Sequence, residues 1–223
     1  MRDRIVLAIF GTGGQGREVR DVAEYQNAIE RRWSEIVFID DTKPKGQLRG
    51  TRVMPFTSIA SLYDEDQVEF VVALGEPQSK KAVFDRVKQA GFSFANVVSP
   101  DTQISPYASL GTGIIIKRGA IVSPDATIGD NTTLQSYVTV GHDVVIGAHC
   151  QISTHSAIGG GTVIGNGTYV GLNCPIRENL SIGDNVVISA GAVVLRDCPA
   201  NVTVMGNPAR TISKNETPAK VFR

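Results

Sequence analysis

Histidine and cysteine are scarce in this chain, three of each in 223 residues, and aromatic side chains make up only 6%. No apolar run approaches the ~20 residues that a membrane-crossing helix needs, so no such span is expected. The opening residues, Met1-Arg2-Asp3-Arg4-Ile5, lead straight into a short apolar stretch. They lack the long apolar region and small-residue cleavage site of a secretory signal. Net charge is absent too, with 22 Lys and Arg against 22 Asp and Glu. That removes the electrostatic reason to expect nucleic acid or an anionic membrane as partner. Cys150, Cys174 and Cys198 are odd in number and widely spaced, which fits neither a disulfide framework nor a zinc spacing. Reduced thiols in a cytoplasmic protein are the expectation.

Glycine, by contrast, is abundant at 23 residues, and it recurs in a pattern. Stepping by six from Ile104 to Val194 meets sixteen consecutive aliphatic residues without a break. Glycine follows the aliphatic at 111, 129, 141, 147, 159, 165, 171 and 183. Two places before it stands something small or β-branched, such as Ala120, Thr132, Cys150, Ser156 or Cys174. A period of six fits no helical stripe but is three strand periods. It predicts a short strand and a turn, repeated, with three hexads closing one triangular coil. The aliphatic fills the coil, and Cys150 and Cys174 become core thiols.

Residues 1–98 have a different texture. "RIVLAIF", "EIVFIDD" and "VEFVVALGE" read as strands, and "REVRDVAEYQNA" as a helix. "PQSKKAVFDRVKQAG" is a second helix, started by Pro77 and stopped by Gly91. The alternation predicts a small parallel α/β sheet. Gly11, Gly13 and Gly16 form G-x-G-x-x-G between a strand and a helix, and Asp40 and Asp41 end the next strand. Glycines there let a phosphate approach the backbone at a helix N-terminus. A purely structural glycine turn is the alternative. The region is short for a complete dinucleotide fold and suits one nucleotide.

Three pieces, "GTGGQGREV", "GHDVVIGAH" and "VMGNPAR", together with the two halves, resemble the hexapeptide-repeat sugar O-/N-acyltransferase family. Its members include bacillosamine-pathway UDP-amino-sugar acetyltransferases, GDP-perosamine N-acetyltransferases and sialic acid O-acetyltransferases. The resemblance implies a Rossmann-like half domain over residues 1–98, a linker at 99–103, a left-handed parallel β-helix over 104–195 and a capping segment and tail over 196–223. It implies His142 as general base supported by Asp143. It places the nucleotide sugar at Gly13, Gly14, Gln15, Asp40 and Asp41. Acetyl-CoA, the co-substrate, would lie along the coils of a homotrimer near Gln151, Gly160, Leu172 and Ala190, with no metal. Close relatives often carry histidine at the position of Gln15, and some carry asparagine at that of Gln135 and histidine at that of Gln151. The resemblance therefore leaves the particular sugar open.

The chemistry is consistent with those residues. An amine or hydroxyl attacking a thioester must lose a proton, and histidine is the side chain suited to take it near neutral pH. A carboxylate beside the ring favours the imidazolium that forms. His142 is third in its hexad, so it should point outward, as should His149 and His155. The Gly160 N–H is the candidate donor to the oxyanion. The leading reading is acetyl-CoA-dependent N-acetylation of a nucleotide-linked amino sugar for surface glycan synthesis, with sugar O-acetylation as the alternative. A three-histidine zinc hydratase and a non-catalytic nucleotide-binding scaffold compete with both. The tail's Arg210, Lys214 and Lys220 could reach the coenzyme phosphates or be simply solvated.

Overall fold

The computed structural model describes residues 5–214, together with 220 and 221. Arg4, which opens the first expected strand, and most of the tail beyond Lys214 lie outside the described residues.

The front region is built on strand β1 (Val6–Phe10), which is buried along its whole length. Such a continuous apolar run belongs to the centre of a parallel sheet covered on both sides. It pairs in parallel with β2 (Glu35–Ile39) and β5 (Val68–Val72). With β3 (Gly46–Leu48), β4 (Thr51–Met54) and β6 (Ser93–Phe94), the sheet order is β3-β4-β2-β1-β5-β6. Val6, Ala8 and Phe10 pack with α2 (Phe56–Leu62) and with Val87 of α3 (Pro77–Gln89). Leu7 and Ile9 face the other way, onto Val19 and Ala23 of α1 (Gly14–Glu30).

One departure from the all-parallel expectation is the antiparallel pairing of β3 with β4. The turn between them is Arg49-Gly50, both at positive φ (51° and 80°). Two central residues of positive φ match the twist of a tight hairpin. No hydrophobic alternation marks "GQL", so no strand signal is present there.

The second half is the triangular solenoid. Its first rung is β7 (Val97–Val98), which pairs with Ile115–Ile116 of the next coil. The stretch 99–103 thus lies inside a coil. Three sheets run along the solenoid. One face carries Ile115, Thr133, Gln151 and Tyr169 in register. A second carries Ile121, Thr139, Ala157 and Pro175. A third carries Thr127, Val145, Val163 and Ser181. Every hexad aliphatic from Ile116 to Val194 is buried in one core, and Ile104 and Leu110 are partly buried against it.

The small residues inside the corners have a specific task. The Thr132 hydroxyl donates to Gly147 O (2.8 Å) in the same coil and accepts the Cys150 N–H (3.1 Å). Ser156 does the same with Gly171 O (2.7 Å) and the Cys174 N–H (3.1 Å). A corner buries backbone polar groups that the strand ladders do not reach, and these hydroxyls satisfy them. Cys150 and Cys174 are buried free thiols, as expected. Burial pushes the Cys150 thiol up to about 12, which makes it inert as a nucleophile.

Past Val194 the stack continues. Val202–Met205 pairs with Val187–Ile188, and Arg210–Lys214 folds back antiparallel on it as a fully exposed strand. The first solenoid face is covered by the front region. Ile115 packs into the β1–α1 cluster, Gln26 Oε1 accepts the Val98 N–H (3.0 Å), and Gln78 of α3 donates to Asn185 (3.1 Å).

Candidate active site

Two groups of the expected residues assemble, at two separate places. The first is a cleft of about 690 Å³ at the carboxyl ends of β1, β2 and β5, lined by Gly13, Gly14, Gln15, Asp40 and Asp41. This is where open α/β sheets bind ligands. Each fingerprint glycine has its own reason. Gly11 turns the chain at φ 114°, a value closed to most side chains. A Cβ on Gly16 would stand 2.0 Å from Gly11 O, so α1 can approach β1 only if residue 16 has none. Gly13 and Gly14 have open space where a Cβ would be. Gly13 caps α1 without a side-chain hydrogen bond, and no acidic residue sits in the first turn. The first N–H groups of α1 are thus left open to an anion in the cleft.

The two aspartates are held in place differently. Asp40 accepts from the Thr12 hydroxyl and from Thr42 through both its N–H (3.0 Å) and its hydroxyl (2.6 Å). Burial pushes the Asp40 carboxyl up, but these bonds and the Lys43 charge outweigh it and hold the group below its usual value. Asp41 accepts the Phe56 N–H (2.8 Å) and pairs with Arg86 (2.5 Å), whose guanidinium lies 4.4 Å from the Phe56 ring centre. Gln15 donates to Leu74 O (3.2 Å), which aims its amide across the cleft mouth. Arg86, Ser79 and Val83 of α3 line the opposite wall and were not read from the sequence. Their spacing on one helical face, next to Pro77 at the helix start, was the available signal.

The second group is at the corner between the second and third solenoid faces. His142 projects outward, its side chain 73% exposed. Its Nδ1 lies 2.7 Å from Asp143 Oδ2. A carboxylate only accepts, so Nδ1 carries the proton and Nε2 keeps its lone pair. Asp143 sits in the left-handed region at φ 57°, a conformation aspartate tolerates better than most side chains. Gly160 stands one coil above His142. A Cβ built on Gly160 would lie 2.7 Å from His142 Nε2, so the ring rests directly against its backbone. The free nitrogen and the backbone of Gly160 therefore face one spot.

Leu172 and Ala190 stand on a different corner, stacked one coil apart and both exposed. That corner and the His142 corner are the two edges of the same face, the one carrying Ile121, Thr139, Ala157 and Pro175. Gln151 is a correction. It was expected along the coenzyme path, but it lies on the first face, 2% exposed under the front region, where no cofactor reaches it. His149 points out of its coil, as expected, but the front region half-covers it: Phe84 packs edge-on to it at 5.5 Å, and Asn131 Nδ2 lies 3.0 Å from its Nδ1. Burial pulls it below the ordinary histidine value. The hexad pattern gives the outward direction but not what covers it. His155 is exposed and stacked on Tyr137 at 5.1 Å. The three histidines occupy three different corners, so one chain cannot bring them to one ion. Arg210 and Lys214 are exposed on the last strand, and Lys220 is exposed as well.

Comparison with known proteins agrees with this architecture. Residues 6–87 match the PglD N-terminal domain, and residues 125–160 match the bacterial transferase hexapeptide family of six repeats. The acetyltransferase domain of PglB from Neisseria gonorrhoeae, solved with acetyl coenzyme A, is 29% identical with a TM-score of 0.87. That match covers 94% of this chain and 100% of that one. PerB from Caulobacter crescentus, solved with CoA and GDP-perosamine, is 27% identical at a TM-score of 0.83. It covers 93% of this chain and 97% of that one. WeeI from Acinetobacter baumannii is 25% identical at a TM-score of 0.86, covering 93% and 100%. With a PglD-type front domain on a left-handed hexapeptide β-helix, the chain is similar along nearly its whole length to the PglB acetyltransferase domain and to PerB.

Proposed function

We propose that this protein transfers the acetyl group of acetyl-CoA to the amine of a nucleotide-linked amino sugar, with His142 as general base. The observation that carries the reading is the His142–Asp143 pair, with Nε2 free and lying against the backbone of Gly160. The relatives solved with acetyl coenzyme A and with GDP-perosamine support the two substrates.

The front cleft binds the nucleotide sugar. The open N-terminus of α1 takes the diphosphate over Gly13, Gly14 and Gln15, while ionised Asp40 and Asp41 accept from hydroxyl or ring N–H groups of the nucleoside. The sugar amine is then delivered to the His142 corner. Its nitrogen attacks the thioester carbonyl carbon while Nε2 takes a proton from it. The negative charge moves to the carbonyl oxygen, where the Gly160 N–H donates to it. The tetrahedral centre collapses, the C–S bond breaks, and the imidazolium returns its proton to the departing thiolate. Asp143 holds the ring with Nε2 forward and stabilises the imidazolium between the two proton transfers.

The site is completed by a second copy. The face bearing Ile121, Thr139, Ala157 and Pro175 is flat and low in charge, with the His142–Gly160 corner on one edge and the Leu172–Ala190 corner on the other. Three copies packed with this face toward a common axis set one copy's His142 beside the next copy's Leu172 and Ala190. Acetyl-CoA lies in that groove. Three buried free cysteines support a cytoplasmic setting for the reaction. The test is a thiol-release assay with acetyl-CoA and a panel of UDP-, dTDP- and GDP-linked amino sugars plus sialic acid. Turnover with an amino sugar, its product one acetyl group heavier, is expected. Turnover with sialic acid alone would replace the amine with a hydroxyl acceptor, and none at all would overturn the reading.

A further inference from the structure

Two buried charged side chains cross between the front domain and the solenoid, and the acetyl-transfer chemistry uses neither. Among the described residues, Lys80 and Lys117 are the charged side chains that are buried, at 0% and 3% exposure. Lys117 rises from the solenoid, pairs with Glu18 of α1 and donates to Gln135 (2.8 Å). Lys80 comes from the opposite side, on α3, and its nitrogen meets only neutral oxygens. It donates to the Thr133 hydroxyl (2.7 Å) and reaches Cys150 O at 3.5 Å. Two more buried acceptors, Asn131 Oδ1 and Gln151 Oε1, have no hydrogen-bond partner among the described residues. Asn131 also donates to Lys80 O (3.1 Å), which fastens the helix backbone to the solenoid.

This is an expensive way to fill an interface. A buried amine with no carboxylate contributes less to stability than an apolar side chain of the same volume. What it supplies is a fixed register. Thr133 and Gln151 are paired on adjacent rungs. The chain from Thr133 to Cys150 is one complete coil, and His142 sits on it. Lys80 therefore grips both ends of the coil that carries the base. On the cleft side of the same helix, Ser79, Val83 and Arg86 form the nucleotide wall. One rigid helix links the substrate cleft to the catalytic coil, and a misplacement of ~1 Å between reacting groups can cost about 10²-fold in rate. The link holds whichever copy's cleft serves a given His142, because the same helix sets where each cleft stands.

We propose that Lys80 is a positioning residue for acetyl transfer, its amine bolting the cleft helix α3 to the coil that carries His142. The proposal rests on the acetyltransferase reading above. It also has a pH signature. Burial pulls Lys80 down to about 7, with the Cys150 side chain opposing and the Lys117 charge assisting. The other titratable groups facing this seam are His149, Asp130 and Asp184 on the solenoid, Lys81 and Asp85 on α3, and Glu18 on α1. Between about pH 7 and the ordinary lysine range, the folded protein has lost the Lys80 proton while the unfolded chain retains it. The unfolded state binds more protons there, so stability rises with pH across that window.

The test compares wild type with Lys80→Met, Thr133→Val and Thr133→Ser. It measures melting temperature against pH, binding of acetyl-CoA and of free UDP and GDP by calorimetry, and kcat and KM in the thiol-release assay. Lys80→Met and Thr133→Val are expected to bind all ligands within about threefold of wild type and to melt no lower. Their kcat should fall at least tenfold, and Thr133→Ser, which keeps the hydroxyl, should retain the wild-type rate. The alkaline rise in stability should disappear in Lys80→Met. Turnover within twofold of wild type in both variants overturns the proposal. So does a loss of rate that only parallels losses in melting temperature and ligand binding. A wild type that acetylates nothing overturns the acetyltransferase reading itself, whereas an active wild type with unaffected variants overturns the positioning role alone.

Discussion

At the scale of single residues, the active corner is held by two close contacts. Asp143 fixes the tautomer of His142, and Gly160 leaves room for its ring. Gly160→Ala would put a methyl group 2.7 Å from Nε2 and push the ring off its seat. We expect kcat to fall by at least tenfold while the melting temperature changes little, since the corner is exposed; steady-state kinetics beside a thermal melt checks this. In the cleft, Asp40 carries a depressed carboxyl whose contribution is present above the ordinary aspartate range and lost as pH falls through its lowered value. Nucleotide affinity should therefore be flat from pH 5 to 8 on account of this group, and titration calorimetry across that range reads it directly. Both sets of residues were legible in the sequence, because a G-x-G-x-x-G loop and a His-Asp pair in a hexad turn are local patterns. Gln151 was misread, and the surroundings of His149 were not foreseen, for the opposite reason. Only the docking of α3, set by residues some seventy positions earlier in the chain, buries Gln151 and half-covers His149.

At the scale of elements, the period of six carried nearly the whole solenoid. Each aliphatic fills a coil, and each small inward hydroxyl serves the corner backbone. Truncating one rung, as in Ile152→Ala, should cost about 2–5 kcal/mol, because the stacked coils cannot collapse around the cavity; chemical denaturation measures it. The front sheet was legible where strands run buried through the centre, as in β1 and β5. The β3–β4 hairpin and α2 were not: the edge strand β3 has no apolar alternation, and α2, at seven residues, is too short to show a helical period. Gly16 is the element-scale hinge of the cleft. Gly16→Ala sets a methyl group against Gly11 O and must move α1 off β1. Overpacking of this kind costs about 1–3 kcal/mol, and nucleotide binding should be lost with it.

At the scale of the whole molecule, one chain holds the front cleft, the His142 corner and the exposed Leu172–Ala190 corner at separate places. A groove shared between copies would join the last two, and complementation is then expected. His142→Ala and Leu172→Arg should each be inactive as pure assemblies. Refolding the two together should restore part of the turnover, because some sites then combine an intact His142 with an intact Leu172 from the neighbour. Sedimentation velocity on the same samples should report a trimer, and a monomer with full activity would remove the shared groove.

The most direct test of the central claim is the rate of thiol release from acetyl-CoA in the presence of the amino-sugar nucleotide that turns over, with wild type beside His142→Ala. The account predicts a fall in kcat of about 10²-fold or more, with acetyl-CoA and nucleotide affinities preserved. A variant that turns over as fast as wild type would contradict it, since the proton would then leave the amine without His142.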